Sequence, residues 1–454
     1  MTTSRAGAAR TAAPARPSPQ TRVTGTREPA VRRTVLPGGL RIVTETVPGS
    51  RSAAVGLWVG TGSRDEHPAS AGAAHFLEHL LFKSTPTRTA ASMAAEMDAV
   101  GGEFNAFTSK ELTCYHAHVL DTDLELAVDL VTDVVLRGEC RSADVEIERE
   151  VVLEEIAMRD DDPEDLAIDC ASAALLGDNP LGRPVTGTVE TVSAMSRDRL
   201  RGFHRRRYTP ERMVLAVAGN VTHAQVVRLA RRAFAGHLDE AAESAPVRAG
   251  TRRLTGLPEF DAVGRDSEQA HLVVGVRSFG RFERDRWALS VLNSAVGGGL
   301  SSRLFLQIRE ERGLAYSVYS AVDTYSDTGM WFLYAGCSPE RLGEVTTLAR
   351  GVLEDVRDNG IAADELARAK GSLRGGLVLG LEDAQSRMHR IGRSEIRYQN
   401  QRSVARTLRD IDAVRLEDVN RVARELFSRP VGGALVGPYR NRRTQPPAIR
   451  SWLG

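Results

Sequence analysis

The segment from residue 72 to 85, GAAHFLEHLLFKST, gathers side chains that could do chemistry. It carries two of the ten histidines of the chain, His75 and His79, and Glu78 stands beside the second. On a helix the two histidines lie one turn apart, about 6 Å along the axis. This spacing suits two imidazoles that bind one Zn²⁺. Glu78 points to the same side and is better placed to hold a water molecule beside the metal than to bind the metal itself.

The rest of the segment decides between a site and an ordinary surface helix. Phe76, Leu77, Leu80 and Leu81 fill the remainder of the helical wheel and can face a core. The alternative is that the polar residues occupy a half-exposed face and do nothing further. Two histidines and a carboxylate are costly to place beside such a core without a partner. The order His-x-x-Glu-His is also the signature of the inverzincin metalloproteases, so we expect a metal site here.

A catalytic zinc keeps three protein ligands and one open position, so a third ligand is required. An acidic helix predicted at residues 144 to 158 offers candidates. Glu148 and Glu155 lie two turns apart between apolar arcs of this helix, whereas Glu154 falls on its solvated face. The alternative is that these glutamates only favour the N-terminal half of the helix. We predict that Glu155 is the third ligand and that Glu148 hydrogen-bonds the second nitrogen of a ligand.

The composition is that of a soluble globular protein. The 454 residues carry a formal net charge of +1, so nothing in the balance of charge favours nucleic acid or anionic lipid. The four cysteines form no CxxC pair, which predicts reduced thiols in a reducing compartment. No apolar run approaches 18 residues, so we expect no transmembrane helix and a cytoplasmic location.

The first residues form a basic segment without an acidic residue before Glu28. It lacks the apolar region of a secretory signal, and Pro14, Pro17 and Pro19 would break a long amphipathic helix. We therefore predict a disordered basic tail at 1–32. A mitochondrial presequence, with a location in the matrix, is the alternative.

Two half-chains show the same pattern. Residues 189–220 and 408–438 each contain an amphipathic helix, an aromatic residue followed by a proline, and an apolar strand that ends in glycine. The strand-then-helix runs at 102–136 and 314–353 also match. Strands in hairpins and helices in separate blocks indicate an α+β fold of two similar domains, each an antiparallel-rich sheet packed with helices. The predicted organisation is a tail at 1–32, a domain at 33–238, a linker at 239–263, a domain at 264–438 and a tail at 439–454.

Six stretches resemble the pitrilysin or insulinase-like (M16) metallopeptidases, especially the half-length branch that includes the β-subunit of the mitochondrial processing peptidase and its bacterial relatives. They are HFLEHLLFKST, GGEFNAFTSKELTCYHAHV, EREVVLEEI, NPLGRPVTGT, YTPERMVLAVAGN and GGGLSSRLFLQIREERGLAYSVYS. Together they cover most of residues 33 to 438. No catalytic position departs from the family pattern.

The resemblance implies a role for each matching residue. His75, His79 and Glu155 would bind one zinc ion per subunit, Glu78 would be the catalytic base, and Glu148 falls on a further acidic position of the family. Arg312 and Tyr316 match a pair that binds the substrate carbonyl and the developing oxyanion; without the resemblance they would be a surface arginine and a core tyrosine. The edge strand that receives the peptide would contain Glu103, Phe104, Asn105, Ala106 and Phe107.

The resemblance also implies the assembly. Full-length members form two bowls around a chamber, and this chain suffices for one bowl, half of a clamshell. A homodimer would then let Arg312 and Tyr316 of one subunit complete the zinc site of the other, and a heterodimer with a related subunit is the alternative. The expected function is zinc endopeptidase activity on unfolded or presequence-like peptides. The competing function is that of a non-catalytic partner subunit. His116 and His118 alternate on a strand, where a structural role is favoured over a metal pair.

Overall fold

The computed structural model describes residues 31–239, 241–249, 254–439 and 444–453. The predicted tail at 1–32 lies outside these residues except for Val31 and Arg32, which begin the first strand. The strands of the described chain are β1 Val31–Val35, β2 Arg41–Thr46, β3 Ser52–Val59, β4 Glu103–Thr108, β5 Thr113–Leu120, β6 Met213–Gly219, β7 Phe260–Gly264, β8 Ala270–Ser278, β9 Ser317–Thr324, β10 Gly329–Cys337 and β11 Val431–Gly437.

Helices join and cover these strands. They are α1 Ala73–Leu81, α2 Ala90–Ala99, α3 Leu124–Arg137, α4 Ser142–Asp161, α5 Pro163–Leu176, α6 Val189–Ser193, α7 Arg197–Arg207, α8 His223–Ala233, α9 Arg286–Val296, α10 Leu342–Asn359, α11 Ala363–Leu379, α12 Ala384–Tyr398, α13 Val404–Asp412, α14 Leu416–Phe427 and α15 Pro447–Leu453. A π-helical stretch runs over Phe305–Glu310. Within the described ranges, no helix combines the length and apolarity needed to cross a lipid bilayer.

The strands form two sheets of the same topology. The first has the order β1-β2-β6-β3-β5-β4 and the second the order β7-β11-β8-β10-β9. From β2 onward the two orders correspond strand for strand. In each sheet one neighbouring pair is parallel, β2 with β6 and β7 with β11, and the other pairs are antiparallel. This confirms the predicted duplication and the antiparallel-rich α+β fold.

Each half of the chain lends a helix to the sheet of the other half. Helix α5 follows the first half's strand β5 in sequence but packs on β8 and β11 of the second sheet. Helix α12 comes from the second half and packs on β2, β3 and β6 of the first. The resulting buried clusters contain side chains from both halves, such as Met388 with Trp58 and Leu175 with Phe332. This exchange was not predicted.

Turns that correspond in the two sheets meet in a buried ionic network. The β4–β5 turn contributes Glu111 and the β9–β10 turn contributes Ser326 and Asp327. Arg64 donates to Glu111 at 2.6 Å and pairs with Asp327, while Arg281 pairs with Glu111. The Ser326 hydroxyl donates to Glu111 at 2.8 Å. The two halves are therefore held together by charge as well as by exchanged helices.

Two predicted boundaries need correction. The edge strand β7 of the second sheet begins at Phe260, inside the range predicted as a linker. This segment forms a strand because it pairs with β11. The predicted tail at 439–454 contains α15, whose Ile449 is 2 % exposed and packs with the core of the second half. Ile449 and Trp452 are three residues apart and so share one helical face, a pattern too short to stand out in the sequence.

Candidate metal centre

Helix α1 is positioned by its apolar face. Phe76, Leu77, Leu80 and Leu81 are fully buried, as predicted. They pack in the core between the first sheet and helices α3, α4 and α7. The opposite face of the helix therefore has a fixed direction, and it carries the two histidines and the glutamate.

A glycine and a carboxylate fix where α1 begins. Gly72 adopts a left-handed conformation with φ of 93°, which glycine tolerates without strain. A Cβ atom at this position would lie 2.6 Å from the Thr186 carbonyl oxygen. The carboxylate of Glu66 accepts hydrogen bonds from the backbone N–H groups of Gly72 and Ala74, at 2.8 and 2.7 Å. It thereby satisfies donors that the first turn of a helix leaves free.

Three ligand atoms converge between α1 and α4. Nε2 of His75 and Nε2 of His79 lie 3.5 and 3.4 Å from Oε2 of Glu155. All three atoms lie within 4.8 Å of one another. Ligands about 2.0 to 2.1 Å from a tetrahedral zinc are separated by roughly 3.3 to 3.4 Å. The two distances from the histidines to Glu155 therefore fit a zinc ion held by these three residues.

The His75 ring is in the neutral form that a metal ion requires. Burial, with the neighbouring charge of His79, lowers the pKa of His75 to about 4. The ring is therefore neutral near pH 7, and neutral imidazole is the form that binds metals. Nδ1 of His75 is buried without a hydrogen-bond partner in the described part of the chain.

Glu148 contacts the other nitrogen of His79. Its Oε2 lies 3.2 Å from Nδ1 of His79, and its Oε1 lies 2.6 Å from Nζ of Lys83. Glu148 is 5 % exposed, so Lys83 compensates a buried carboxylate. When Nδ1 of His79 donates to Glu148, Nε2 keeps its lone pair for a metal. Glu148 thus contacts the second nitrogen of a predicted ligand, and its role in metal binding stays a prediction.

Glu78 lies beside the converging atoms and is held by the edge of the sheet. The hydroxyl of Thr108 donates to its Oε2 at 2.5 Å. Burial raises the pKa of Glu78, while Thr108 and His79 act in the opposite direction. A carboxylate whose pKa is raised toward neutrality is suited to accept and return a proton.

The strand predicted to receive a peptide is an edge strand. Residues Glu103 to Phe107 lie in β4, which pairs with β5 and has no second neighbour among the described strands. Its last residue, Thr108, is the one that contacts Glu78. An edge strand offers free N–H and C=O groups to another extended chain. A peptide paired with β4 would therefore run past Glu78.

Arg312 and Tyr316 form their recorded contacts outside this cluster. Arg312 donates to the carbonyl oxygen of Gln307 at 2.6 Å and pairs with Glu311. Tyr316 is 80 % exposed. Neither forms a hydrogen bond or ion pair with the histidines or glutamates of the site within the described residues. Among the described residues, no direct polar contact joins the two predicted parts of the site within one chain.

The other histidines belong to no group of three possible metal ligands among the described residues. Within the described ranges, the group of His75, His79 and Glu155 is the only candidate with three ligands. The ring of His116 instead packs 5.2 Å from that of His389 on α12. Sequence reasoning missed Lys83 and Thr108. Lys83 did carry a signal, because it is one of three lysines in the chain and lies four residues after His79.

Comparison with known proteins identifies the family. A protein of Mycobacterium tuberculosis named as an uncharacterized zinc protease is 59 % identical over 94 % of this chain and 97 % of its own length. The chain belongs to the insulinase family of peptidases, M16. The family model for insulinase (peptidase family M16) matches residues 41–189 of the M16 chain, and the model for the peptidase M16 inactive domain matches residues 194–373.

A more distant relative and a solved structure are also similar to this chain. The uncharacterized zinc protease YmxG of Bacillus subtilis is 38 % identical to this chain. The match covers 90 % of this chain and 99 % of the length of YmxG. A solved protease from Helicobacter pylori superposes with a TM-score of 0.83, covering 91 % of this chain and 100 % of that one at 23 % identity. The match to the Helicobacter pylori structure shows a shared fold. The three candidate ligands His75, His79 and Glu155 fall within the first matched region of this chain. Arg312 and Tyr316 fall within the second.

Proposed function

We propose that this chain is a zinc endopeptidase of unfolded peptides. The observation that carries the proposal is the convergence of His75, His79 and Glu155 with Glu78 beside them. These three residues would hold one zinc ion, which when bound polarises the scissile carbonyl and acidifies a water molecule. Glu78 takes the proton from the attacking water and later passes it to the leaving amine.

The substrate would bind as an added strand along β4. Backbone hydrogen bonds supply the affinity of such a complex, which keeps the dependence on sequence low. The open edge of β4 and its contact with Glu78 through Thr108 support this placement. A folded substrate cannot offer a free extended segment, so unfolded peptides are the expected class.

The site would be completed in a homodimer, with a related second subunit as the alternative partner. The partner subunit's Tyr316 and Arg312 would donate hydrogen bonds to the scissile carbonyl oxygen as its charge develops. The high exposure of Tyr316 supports this arrangement. So do the apolar residues Ile147, Val151 and Met158 of α4, which are 57, 41 and 66 % exposed along the helix that carries Glu155. Exposed apolar side chains grouped on one surface are typical of interaction sites. A cytoplasmic location is part of the proposal.

Replacing Glu78 tests the proposed chemistry. Glu78→Gln keeps the size of the side chain but removes the base, and we expect the variant to bind zinc like the wild type while peptide cleavage falls by at least about 10²-fold. Elemental analysis and cleavage of an unfolded fluorogenic peptide measure the two properties. Cleavage by Glu78→Gln at the wild-type rate would refute the assigned base. A wild-type protein that binds no zinc would instead favour the non-catalytic partner subunit.

A further inference from the structure

A pocket of about 360 Å³ opens between α9, α11 and α12. Trp287, Leu377 and Tyr398 give it an apolar and aromatic wall. Several arginines line the same space, among them Arg286, Arg393 and Arg397. These six residues are called the arginine pocket below. Its volume falls in the range of small-molecule and peptide side-chain sites.

The three arginines are only partly compensated, because the carboxylates of Asp410 and Asp323 act on Arg286 and Arg397 without forming an ion pair with them. In the described part of the chain, neither Arg286, Arg393 nor Arg397 forms an ion pair. Arg286 donates to the carbonyl oxygen of Arg281 at 3.2 Å and lies over the ring of Trp287. Nε of Arg397 is buried without a hydrogen-bond partner.

The surroundings of the three arginine side chains disfavour their charged form. Burial lowers the pKa of each of them, and the charge of another arginine lowers it further for Arg286 and Arg393. The carboxylate of Asp323 senses the charge of Arg397 without pairing with it. Partly buried cations without ion pairs are stabilised when an anion binds among them.

One residue of the arginine pocket also contacts the proposed peptide strand. The guanidinium of Arg393 lies 5.8 Å from the ring of Phe107 in β4, and Phe107 precedes Thr108, the residue that contacts Glu78. A strand added to β4 would lie about 4.8 Å away, with its side chains pointing alternately to the two faces of the sheet. Every second side chain of the peptide would therefore project on the α12 side, toward Arg393.

We propose that the arginine pocket binds carboxylates of the peptide substrate, together with a neighbouring apolar side chain, and so makes the enzyme prefer acidic peptides. This inference rests on the proposed peptidase function and names its substrate class. The carboxylate can come from an Asp or Glu side chain or from the C-terminus of the peptide, since both offer the same planar acceptor to arginine. Basic, presequence-like peptides are the class that the arginine pocket disfavours.

Matched peptides test the preference. Unfolded fluorescent peptides are made with Ser and Val at alternate positions and Glu, Gln or Lys at the others, each with an amidated C-terminus. A fourth is the Gln peptide with a free C-terminus. Fluorescence anisotropy with zinc-loaded Glu78→Gln protein gives affinity without turnover, and kcat/KM is measured with the wild type. We expect the Glu peptide to bind roughly tenfold more tightly than the Gln peptide and the Lys peptide to bind most weakly.

Variants of the arginine pocket locate the effect. Arg393→Gln and Arg286→Gln, each added to the Glu78→Gln protein, should remove the difference between the Glu and Gln peptides. Arg284→Gln is the matched control, because Arg284 is exposed on the neighbouring loop and does not line the pocket. Thermal unfolding of every variant checks the fold. Tighter binding of the free C-terminus than of its amide would show that the terminal carboxylate is a ligand, and equal binding would assign the site to side chains.

The outcomes separate the two proposals. Equal affinities for the Glu and Gln peptides, or a difference that survives both pocket substitutions, would overturn the arginine pocket as a carboxylate site even if cleavage is efficient. A preference for the Glu peptide that depends on Arg393, in a protein that cleaves no peptide, would support the pocket and refute the peptidase function.

Discussion

Two glutamates of one helix meet the two nitrogens of a single histidine. Glu148 lies at Nδ1 of His79 and Glu155 lies near Nε2. They are seven positions apart, about two turns of helix, so both point toward α1. Glu148 is buried and paired with Lys83, whereas Glu155 is half-exposed. Because of this difference in surroundings, we assign Glu148 to positioning His79 and propose Glu155 as the metal ligand.

Replacing Glu148 should weaken zinc binding without abolishing it. In Glu148→Gln the side chain still reaches His79, but it is a poorer acceptor and no longer compensates Lys83. Loss of such an outer partner typically costs about 10- to 100-fold in metal affinity. Competition with a chromophoric chelator measures the affinity. Glu150→Gln is the control, since Glu150 is exposed on the same helix. Equal affinities of the two variants would contradict the positioning role.

At this scale the sequence was most informative where one helix supplied the pattern. His75, Glu78 and His79 could be placed from their spacing, and Glu155 could be chosen over Glu154 because the two fall on different helix faces. The position of Tyr316 could not be obtained in this way. Its side chain is exposed, and no periodicity indicates what covers an exposed residue.

The loop that follows α1 is tied to α3 by one buried carboxylate. Oδ2 of Asp133 accepts hydrogen bonds from the hydroxyl of Thr85 at 2.8 Å and from Arg88 at 3.0 Å. Its Oδ1 accepts one from Arg137 at 2.6 Å. Asp133 is fully buried. The exit of the helix that carries both histidines is therefore anchored to the core.

Asp133→Asn should destabilise the fold in a pH-dependent way. Burial alone would raise the pKa of Asp133, but its hydrogen bonds with Arg137, Arg88 and Thr85 hold that pKa below its usual range. The ionised aspartate thus stabilises the fold above the unfolded-state pKa of about 4, and this stabilisation is lost as the pH falls through the lower folded-state pKa. Removing one partner of a buried pair costs about 3 to 5 kcal/mol at pH 7.

Denaturant unfolding at several pH values measures this effect. Asp129→Asn is the control, because Asp129 also pairs with Arg88 but is 45 % exposed, and its loss should cost no more than about 1 kcal/mol. The extra destabilisation of Asp133→Asn should shrink in acid, below about pH 4. An equal loss in both variants, or a loss independent of pH, would contradict the anchoring role.

Elements made of local pairs were predictable, and their partners across the chain were not. The β1–β2 and β4–β5 hairpins join strands that are neighbours along the chain, in keeping with the predicted fold of strands in hairpins. The exchange of α5 and α12 was not expected. An amphipathic pattern tells which face of a helix is apolar, but it does not tell which of two similar sheets will cover that face.

The exchanged helix α12 depends on close contact with the first sheet. A Cβ atom added at Gly392 would overlap the indole nitrogen of Trp58, which lies on β3 and is fully buried. A Cβ atom at Gly56 would overlap the sulfur of Met388 in the same way. The glycines thus let the helix of one half lie directly on the sheet of the other.

Gly392→Ala should loosen the junction between the halves. Overpacking of this kind typically costs about 1 to 3 kcal/mol, or more where the neighbour is held rigidly. Gly376→Ala is the control, because Gly376 lies in helix α11 with open space around it, and alanine there should stabilise the protein by about 0.5 to 1 kcal/mol. Thermal unfolding measures both variants. A neutral Gly392→Ala would contradict the tight contact.

The proposed dimer predicts that two inactive variants can restore each other. Glu78→Gln and Tyr316→Phe should each be nearly inactive alone. In a mixed dimer, one site combines the intact Glu78 of one subunit with the intact Tyr316 of the other. Random mixing in equal amounts should therefore give about a quarter of the wild-type activity. Activity after co-refolding or subunit exchange measures this. Mixtures no more active than the separate variants would place the complete site in one chain.

Zinc content is the most direct measurement of the central claim, that His75, His79 and Glu155 bind one metal ion. Elemental analysis of purified protein should find one zinc ion per subunit in the wild type and in Glu154→Gln, whose substituted side chain is exposed beside the site. Glu155→Gln should retain far less zinc after dialysis against a weak chelator, because it loses one of three ligands. A Glu155→Gln protein that keeps zinc as firmly as Glu154→Gln would contradict the account.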